Sequence, residues 1–460
     1  MKQDPALAQS LAGANDTIAA LATPVGRGAI SIVRLSGPRA HEIGKSVINP
    51  WPLEPRRVTL CRVVSPEQGS VLDQALVTSF VQPESFTGED MIEISGHGGR
   101  YVPALVMKAL ISAGARPALP GEFTRRGVLN GKLDITQAEA IGDLVDARSE
   151  AMHKAALVQL DGGLSRRISA LREQLIEVES LIAYDIDFPE EDDGPIARER
   201  VVAAVETLLA SLDALLSTIP VGELIREGAV VVIAGLPNVG KSSLFNALLG
   251  QSRAIVTEIP GTTRDAIEAS LETENWPVRL VDTAGMRESE DVVERIGIEV
   301  SEKYVGQANI VLACGDSDET LSAVLVALEG KTDAPVVRVR TKSDLKTTGD
   351  ENSSAAVEVS AESGEGLLAL MQEIDSVLSD SVGQVVADSP ILIRSRQIQG
   401  ITQAWSEIAA FSEAWEQGDL PAPVAAVHLR SASIALESLI GAVSTEDVLD
   451  RVFSAFCVGK

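Results

Sequence analysis

The chain has 460 residues, 45% of them hydrophobic and 23% charged, with 39 Lys+Arg against 66 Asp+Glu and a formal net charge of −27. That composition describes a globular protein of two to four domains at ~100–200 residues each, and it excludes a disordered chain and a protein that coats nucleic acid with Lys and Arg. Three cysteines, Cys61, Cys314 and Cys457, are too few and too widely spaced for a disulfide framework or a metal cluster, and no signal peptide or apolar run near the ~18 residues of a spanning helix is expected.

Residues 16–36 place two β-rich runs around the Gly-punctuated turn Val25-Gly-Arg-Gly28, which is too short for a dinucleotide fingerprint. Further runs at Arg57–Val64, Gln74–Val81 and Met91–Ser95, separated by Pro, Gly and Ser, predict an α+β domain over residues 1–132. From Leu133 the apolar period changes to 3.6. The stripes Ile141, Leu144, Val145; Leu164, Ile168, Leu171, Leu175, Ile182; and Val201, Val205, Leu208, Leu212, Leu215 predict amphipathic helices over 133–222, interrupted by the acidic loop 187–195. The run Gly228–Ala234 then reads as a buried strand, and strands alternate with helices over 223–383, the pattern of an α/β domain. After a linker-like stretch at Ser379–Pro390, helical periodicity returns over 384–460, at Ile398, Ile401, Trp405 and Ile408, then Val427–Leu439 and Val448–Phe456. The predicted architecture is multidomain: an N-terminal α+β domain, a discontinuous helical domain, and a Ras-like α/β P-loop G domain inserted into it.

The charge is uneven along this plan. Residues 1–132 carry 14 basic and 11 acidic residues, net +3, whereas the remainder carries 25 against 55, net −30. Local basic patches are therefore compatible with the acidic total, and Arg125-Arg126 is the best such pair.

The segment Gly235-Leu-Pro-Asn238-Val239-Gly240-Lys241-Ser242, with Ser243 beyond it, fits the phosphate loop G-x-x-x-x-G-K-[ST] between a strand and a helix. Its backbone N–H groups cradle phosphates, Lys241 supplies a point charge, and the Ser242 hydroxyl can ligate Mg²⁺. The segment Thr257-Glu258-Ile259-Pro260-Gly261-Thr262-Thr263 lies where a nucleotide-sensing switch belongs, with Thr263 as the second Mg²⁺ ligand. Asp282-Thr283-Ala284-Gly285 follows a strand; Asp282 would reach Mg²⁺ through water, and the Gly285 N–H would sense the γ-phosphate. Thr341-Lys342-Ser343-Asp344 follows another strand, and the Asp344 carboxylate can accept both N1–H and N2–H of guanine, a pairing adenine does not offer. Ser360-Ala361 fits a loop over the guanine O6. Five elements in order predict a GTP-binding domain. Two features depart from the usual pattern. Thr341 stands where the guanine motif normally begins with Asn, and Met286-Arg287 stands where small GTPases carry a water-orienting Gln. Glu294 is the candidate to orient water, the alternative being an ordinary exposed helical Glu. Asn238 with oxygens of Thr257, Ile259 and Thr262 could cage a monovalent cation.

The runs DTIAALATPVGRGAISIVRLSG, SFTGEDMIEISGHGG, PGEFTRRGVLNGKLDITQAEAI, GLPNVGKSSLFNAL, PGTTRD, DTAGMRE, VERIGIE and the terminal FCVGK give the chain a nearly end-to-end resemblance to the MnmE (TrmE) family of tRNA wobble-uridine modification GTPases. The resemblance implies a cytoplasmic enzyme, with no membrane, that hydrolyses GTP. With the flavoprotein partner MnmG (GidA), which carries FAD, it would add a carboxymethylaminomethyl-type group to C5 of the wobble uridine of certain tRNAs. The one-carbon donor would be 5,10-methylenetetrahydrofolate or a related reduced folate. It also implies a homodimer through the N-terminal domain, a heterotetramer or larger complex with the partner, and G-domain pairing stimulated by K⁺. On the matching positions it implies folate contacts at Arg34, Glu93, Lys132 and Lys460, with Glu89 as a nearby rival to Glu93. It implies K⁺ at Asn238, Thr257, Ile259 and Thr262, water orientation by Glu294, and a functional Cys457. His97 reads as a turn or folate-pocket residue. A ribosome-assembly GTPase, a switch without modification chemistry, shares the G-domain logic and is the alternative; it does not account for the N-terminal domain or the Cys-bearing tail.

Overall fold

The computed structural model describes residues 16–187, 198–251, 267–282, 304–345, 356–386, 390–417, 422–441, 449, 452–453 and 456–459. Its contacts divide the chain into two compact units, Met1–Gly142 with Ile440–Lys460, and Asp143–Leu439. The C-terminal tail thus packs with the N-terminal domain.

In the first unit the elements are β1 (Ile18–Leu21), β2 (Ile30–Ser36), α1 (Ala40–Val47), β3 (Ile48–Asn49), β4 (Thr59–Val64), β5 (Val71–Phe80), β6 (Met91–His97), α2 (Tyr101–Ser112), β7 (Arg116–Pro117), α3 (Glu122–Leu129) and α4 (Ile135–Asp146). The strands form one seven-stranded sheet in the order β3-β4-β5-β6-β2-β1-β7, antiparallel apart from the β1–β7 pair. Alternation decides the faces. Val33, Leu35, Cys61, Val63, Ala75, Val77, Ile92 and Ile94 point inward and pack with Ile43, Val47, Val106 and Leu110 of α1 and α2. Burial of one such aliphatic side chain stabilises by about 1.5–3 kcal/mol. The alternate residues Arg34, Glu93, Leu60 and Leu76 lie on the other face.

An ion network ties this sheet to α3. Arg126 and Arg116, anchored on Asp16 and Glu122, connect β7, α3 and the entry to β1, and Arg126 also reaches Glu89. Burial pushes the Asp16 and Glu122 carboxyls up, but hydrogen bonds from Arg116 and charge from both arginines outweigh it, and both sit below their ordinary range. Arg125 and Arg126 are 7% and 4% exposed. The reading of this pair as a basic patch for tRNA is therefore corrected: the helix turns both side chains inward.

The second unit holds α5 (Glu150–Leu160), α6 (Gly163–Asp187), α7 (Arg198–Leu216), α8 (Ile219–Glu227), β8 (Ala229–Gly235), α9 (Lys241–Gln251), β9 (Ile267–Glu272), β10 (Pro277–Asp282), β11 (Ile310–Gly315), α10 (Asp318–Leu328), β12 (Val336–Arg340), β13 (Val357–Glu358), α11 (Leu367–Val386), α12 (Ser395–Gln417) and α13 (Ala422–Ile440). The predicted linker at Ser379–Pro390 is corrected in its first part, since α11 continues to Val386. Leu370, Ile374 and Leu378 keep the helical period against the sheet and carry the helix onward.

The stretch Glu199–Glu227 also corrects an expectation: by length and composition it is long and apolar enough to cross a membrane. It consists of two helices, however. Val201, Val205, Leu208, Leu212 and Leu215 form a stripe 0–3% exposed, and α7 packs against α6 and α12. The pattern is that of a core-facing amphipathic helix.

The six-stranded sheet runs β13-β12-β11-β8-β10-β9, parallel except for the β9–β10 hairpin. The run AVVVIA of β8 is apolar throughout because both faces are covered. Ala229, Val231 and Ile233 join a core with α9, α11, Ala151 and Ala155 of α5, and Leu224 and Ile225 of α8. Val230, Val232 and Ala234 join the opposite core with α10. The G-domain sheet and helices α5 and α8 thus share one continuous core.

Candidate functional site

Parallel pairing brings the carboxyl ends of β8, β10, β11, β12 and β13 to one edge, where ligands of open α/β sheets bind. The phosphate loop leaves β8 there. Asn238 at φ 62 and Gly240 at φ 96 turn it back on itself, and a Cβ on Gly235 would meet the Cys314 carbonyl at 2.6 Å. The loop feeds the N-terminus of α9, with Lys241 buried and the Ser242 and Ser243 hydroxyls exposed. That terminus presents backbone N–H groups and a positive dipole end to phosphate. Lys241 Nζ donates to the carbonyls of Gly235 (2.9 Å) and Leu236 (2.8 Å), holding its ammonium over the loop.

Asp282 ends β10 in register with Ile233 of β8 and is 1% exposed. An exposed hydroxyl at Ser242 and a carboxylate on the adjacent strand are hard oxygen donors of the kind Mg²⁺ takes. Beneath them, burial pushes the Cys314 thiol up to about 12, which makes it an inert core residue.

The guanine-reading loop sits beside the phosphate loop. Thr341, 4% exposed, donates its hydroxyl to the Val239 carbonyl at 2.5 Å. Lys342, also left-handed at φ 56, donates Nζ to the Asn238 carbonyl (2.8 Å) and to Asp316 (3.1 Å). That hydrogen bond from Lys342 holds the Asp316 carboxyl below its ordinary range. Asp344 lies in the 3-10 turn Ser343–Leu345 and is exposed, so its carboxylate is available to a base. Ser343 N–H donates to Val359 O at 3.1 Å, which brings the Ser360-Ala361 loop alongside. Asn238, Val239, Gly240, Lys241, Ser242, Ser243, Asp282, Thr341, Lys342, Asp344, Ser360 and Ala361 are thus collected at one edge. Thr257–Thr263, Thr283–Gly285 and Glu294 lie outside the described residues. Asp316 was missed by the sequence reading, although its place directly after a parallel strand is the signal that could have found it.

A second constellation lies in the N-terminal unit. Arg34 on β2 and Glu93 on β6 are direct cross-strand partners and form a 2.9 Å ion pair, each side chain about a quarter exposed (26% and 25%). The Arg34 guanidinium lies 5.9 Å from the Phe86 ring centroid and donates to the Gly459 carbonyl at 3.3 Å. The tail is held further by Gly121 N–H on Cys457 O (3.2 Å) and a bridge between Pro120 and Val458, and the Cys457 side chain is exposed. Glu89 is engaged by Arg126 and by the Ser36 hydroxyl, as Glu93 is by Arg34. Lys132 packs beside Gly88 and lines a cavity of about 420 Å³ with Gly131, Asp134, Gln137 and Gly441. Lys460 lies outside the described residues. His97 is exposed, and its ring Nδ1 lies 2.7 Å from buried Asp73.

A phosphate loop, an acidic strand end and a guanine-reading carboxylate on one sheet edge define the class: a P-loop GTPase whose G domain is built into a helical scaffold. Residues 17–132 match the N-terminus of the GTP-binding protein TrmE, and residues 135–457 match the MnmE helical domain. Proteins described as tRNA modification GTPase MnmE from Aquifex aeolicus (40% identical over 97% of this chain and 100% of that protein), Akkermansia muciniphila (41%, 96% and 99%) and Thermus thermophilus (41%, 97% and 99%) are similar along their whole length. The chain belongs to the MnmE family. Among solved structures, the G domain of the T. maritima FeoB iron transporter is similar at 24% identity and TM-score 0.26, covering 33% of this chain and 98% of that one.

Proposed function

We propose that this GTPase acts in the cytoplasm on tRNA, and that with a flavoprotein partner of the MnmG type it installs a carboxymethylaminomethyl-type group at C5 of the wobble uridine. The observation that carries the reading is the docking of the Cys457 tail on Arg34, beside Glu93, in a unit distinct from the G domain. A GTPase switch alone has no use for such a site.

The residues there fit a reduced folate. A carboxylate on an open sheet face can accept the N–H groups of a pterin edge, and cations at Arg34, Lys132 and Lys460 can hold glutamyl carboxylates. When bound, the folate supplies the one-carbon unit. The chain's own contribution is to orient it and to present Cys457 alongside. In the G domain, Ser242, Thr263 and, through water, Asp282 would hold Mg²⁺, which neutralises phosphate charge when bound. Asn238 with Thr257, Ile259 and Thr262 would hold K⁺. Glu294 would orient the attacking water, in place of the glutamine that Met286 replaces.

The exposed face of the N-terminal sheet supports a homodimer: Leu60 and Leu76, cross-strand neighbours, are 65% and 49% exposed. With Arg125 and Arg126 buried and the chain strongly acidic, most phosphate contacts to tRNA would come from the flavoprotein in a heterotetramer or larger assembly. Nucleoside analysis of tRNA from a strain lacking this protein tests the reading. Loss of C5-aminomethyl-type wobble uridines is expected, and their normal abundance would refute it.

A further inference from the structure

We propose that two abutting turns of the N-terminal unit, 25–28 and 97–101, form a contact surface for the anticodon arm of tRNA. Arg27 and Arg100 pair with backbone phosphates there, and Tyr101 stacks on an unpaired base. The proposal rests on the reading of tRNA as the substrate and adds the place on this chain where the RNA lies.

Packing brings these residues together. Ile30, the first residue of β2, is the cross-strand partner of His97, the last residue of β6. The β1–β2 loop and the β6–α2 turn therefore emerge at one end of the sheet. They touch through glycines: the Gly98 N–H donates to the Ala29 carbonyl at 3.1 Å, and a Cβ on Gly98 would run into the Gly28 carbonyl. Buried Asp73 fixes the second turn. Its carboxylate accepts the His97 N–H (2.9 Å) and lies 2.7 Å from the ring Nδ1, while the Ser31 hydroxyl donates to the His97 carbonyl (2.9 Å). Gly99, at φ 99, then turns the chain into α2. A surface held in this way is pre-organised, so a ligand has little to order.

Charge and chemistry define the ligand. Other exposed arginines of this unit are neutralised by a neighbour: Arg39 by Glu42, Arg56 by Glu84 and Arg57 by Glu54. Arg27 and Arg100 are exposed, and neither has an acidic partner among the described residues. The first turn of α2 carries no acidic residue either. In a chain of net charge −27, two uncompensated guanidinium groups on abutting turns select an anion with more than one charge. Tyr101 is 75% exposed, and among the described residues no other aromatic side chain is exposed. A ring presented to solvent beside two arginines is a stacking platform for a base. Phosphates together with a free base face describe an RNA loop; a paired duplex offers the first and not the second.

The position agrees. A Cβ on Gly459 would meet the Leu21 carbonyl at 2.7 Å and the Ala22 Cα at 2.8 Å, so the tail that carries Cys457 lies against the foot of the same β1–β2 loop. A few contacts at this point set the register of the RNA beside the tail. The bulk of the phosphate contacts is left to the flavoprotein.

The test titrates the full chain into a fluorescently labelled anticodon stem-loop RNA and reads anisotropy at several salt concentrations. Removing both guanidinium groups, in Arg27→Ala with Arg100→Ala, is expected to weaken binding about tenfold. It should also lower the slope of log K against log salt by about 1.5. Tyr101→Ala is expected to lose about tenfold with the slope preserved, and Tyr101→Phe to recover that loss, because the ring and not the hydroxyl stacks. Arg62→Ala removes an exposed arginine of β4 and is expected to change affinity by less than about twofold. All four side chains are exposed, so their removal leaves the core intact. Unchanged affinity and slope in the double variant would overturn the proposal. So would a loss in Arg62→Ala as large as that in the double variant, which would reduce the effect to overall charge. Equal losses in Tyr101→Phe and Tyr101→Ala would overturn the stacking role, and no binding by the unmodified chain at about 50 mM salt would overturn the whole surface. These results would leave the proposed function standing; normal wobble nucleosides in the deletion strain would instead defeat the reading of tRNA as substrate.

Discussion

Replacing Arg126 with Met removes the hub of the N-terminal ion network while keeping much of its apolar volume. Arg126 is 4% exposed and donates to Asp16 Oδ1 (2.7 Å), to the Asp16 carbonyl (3.0 Å), to Glu122 (3.0 Å) and to both oxygens of Glu89 (3.1 Å). Glu122 is itself 4% exposed, so its charge would be left with Arg116 and the Leu119 N–H as partners. Breaking a buried pair of this kind costs about 3–5 kcal/mol, against a typical domain stability of about 5–15 kcal/mol. Amide exchange read on β2 and β6 confines the measurement to the unit concerned. Where exchange reports global opening, the protected amides of Val33, Leu35, Ile92 and Ile94 are expected to exchange on the order of a thousandfold faster. The pH dependence has a definite sign. Asp16 and Glu122 titrate below their ordinary values in the folded chain. Their stabilisation is therefore present above the unfolded carboxylate range near pH ~4 and is lost as the pH falls through the lower folded values. In Arg126→Met that acid limb should flatten. Exchange changed by less than about threefold would show that Arg126 acts as a surface residue, since such substitutions shift stability by only about 0.5 kcal/mol.

Asp344→Asn removes a carboxylate that would make two charge-assisted hydrogen bonds to guanine; GDP affinity should fall at least about a hundredfold, while xanthine nucleotides, which carry a carbonyl in place of the 2-amino group, should gain. Competition binding with GDP and XDP checks it. Glu294→Ala is expected to spare GTP binding and slow turnover by about 10²–10⁴-fold, and the unmodified chain should turn over faster in potassium than in sodium buffer; equal rates in both would dispose of the cation cage. Arg34→Ala is expected to abolish binding of a reduced folate measured by calorimetry, and to raise the reactivity of Cys457 toward a thiol reagent as the tail loses its anchor at Gly459. GTP turnover should be unchanged in this variant, because Arg34 is remote in function from the phosphate loop.

The nucleotide site was legible in the sequence because its chemistry is local. A strand, a glycine-rich loop and a helix are contiguous, and strands of one parallel sheet necessarily end at one edge, so Asp282, Asp344 and Ser360 could be assigned to that edge from order alone. The helical stripes were legible for the same reason: Val201 to Leu215 repeat at the helical period and are buried as a row. What was not legible depends on contacts between distant segments. Arg126 looks like a surface residue because its partners Asp16 and Glu89 lie far from it along the chain. The burial of the Thr341 hydroxyl against Val239, and the engagement of Glu89 by Arg126 and Ser36, likewise follow from packing and from no local pattern. The linker at Ser379–Pro390 was misplaced because Ser, Asp and Gly suggest a break, while Leu370, Ile374 and Leu378 had already committed the helix.

The central claim is that GTP turnover at the G-domain edge serves tRNA modification at the tail-bearing N-terminal site. Reconstitution tests it most directly: the purified chain, a flavoprotein partner, unmodified tRNA, a reduced folate, glycine as amine donor and GTP, read by mass spectrometry of the wobble nucleoside. C5-carboxymethylaminomethyl uridine is expected with the unmodified chain and absent with Lys241→Ala, with Cys457→Ser, or when a non-hydrolysable analogue replaces GTP. Full yield of the modified nucleoside with the Lys241→Ala chain would contradict the claim.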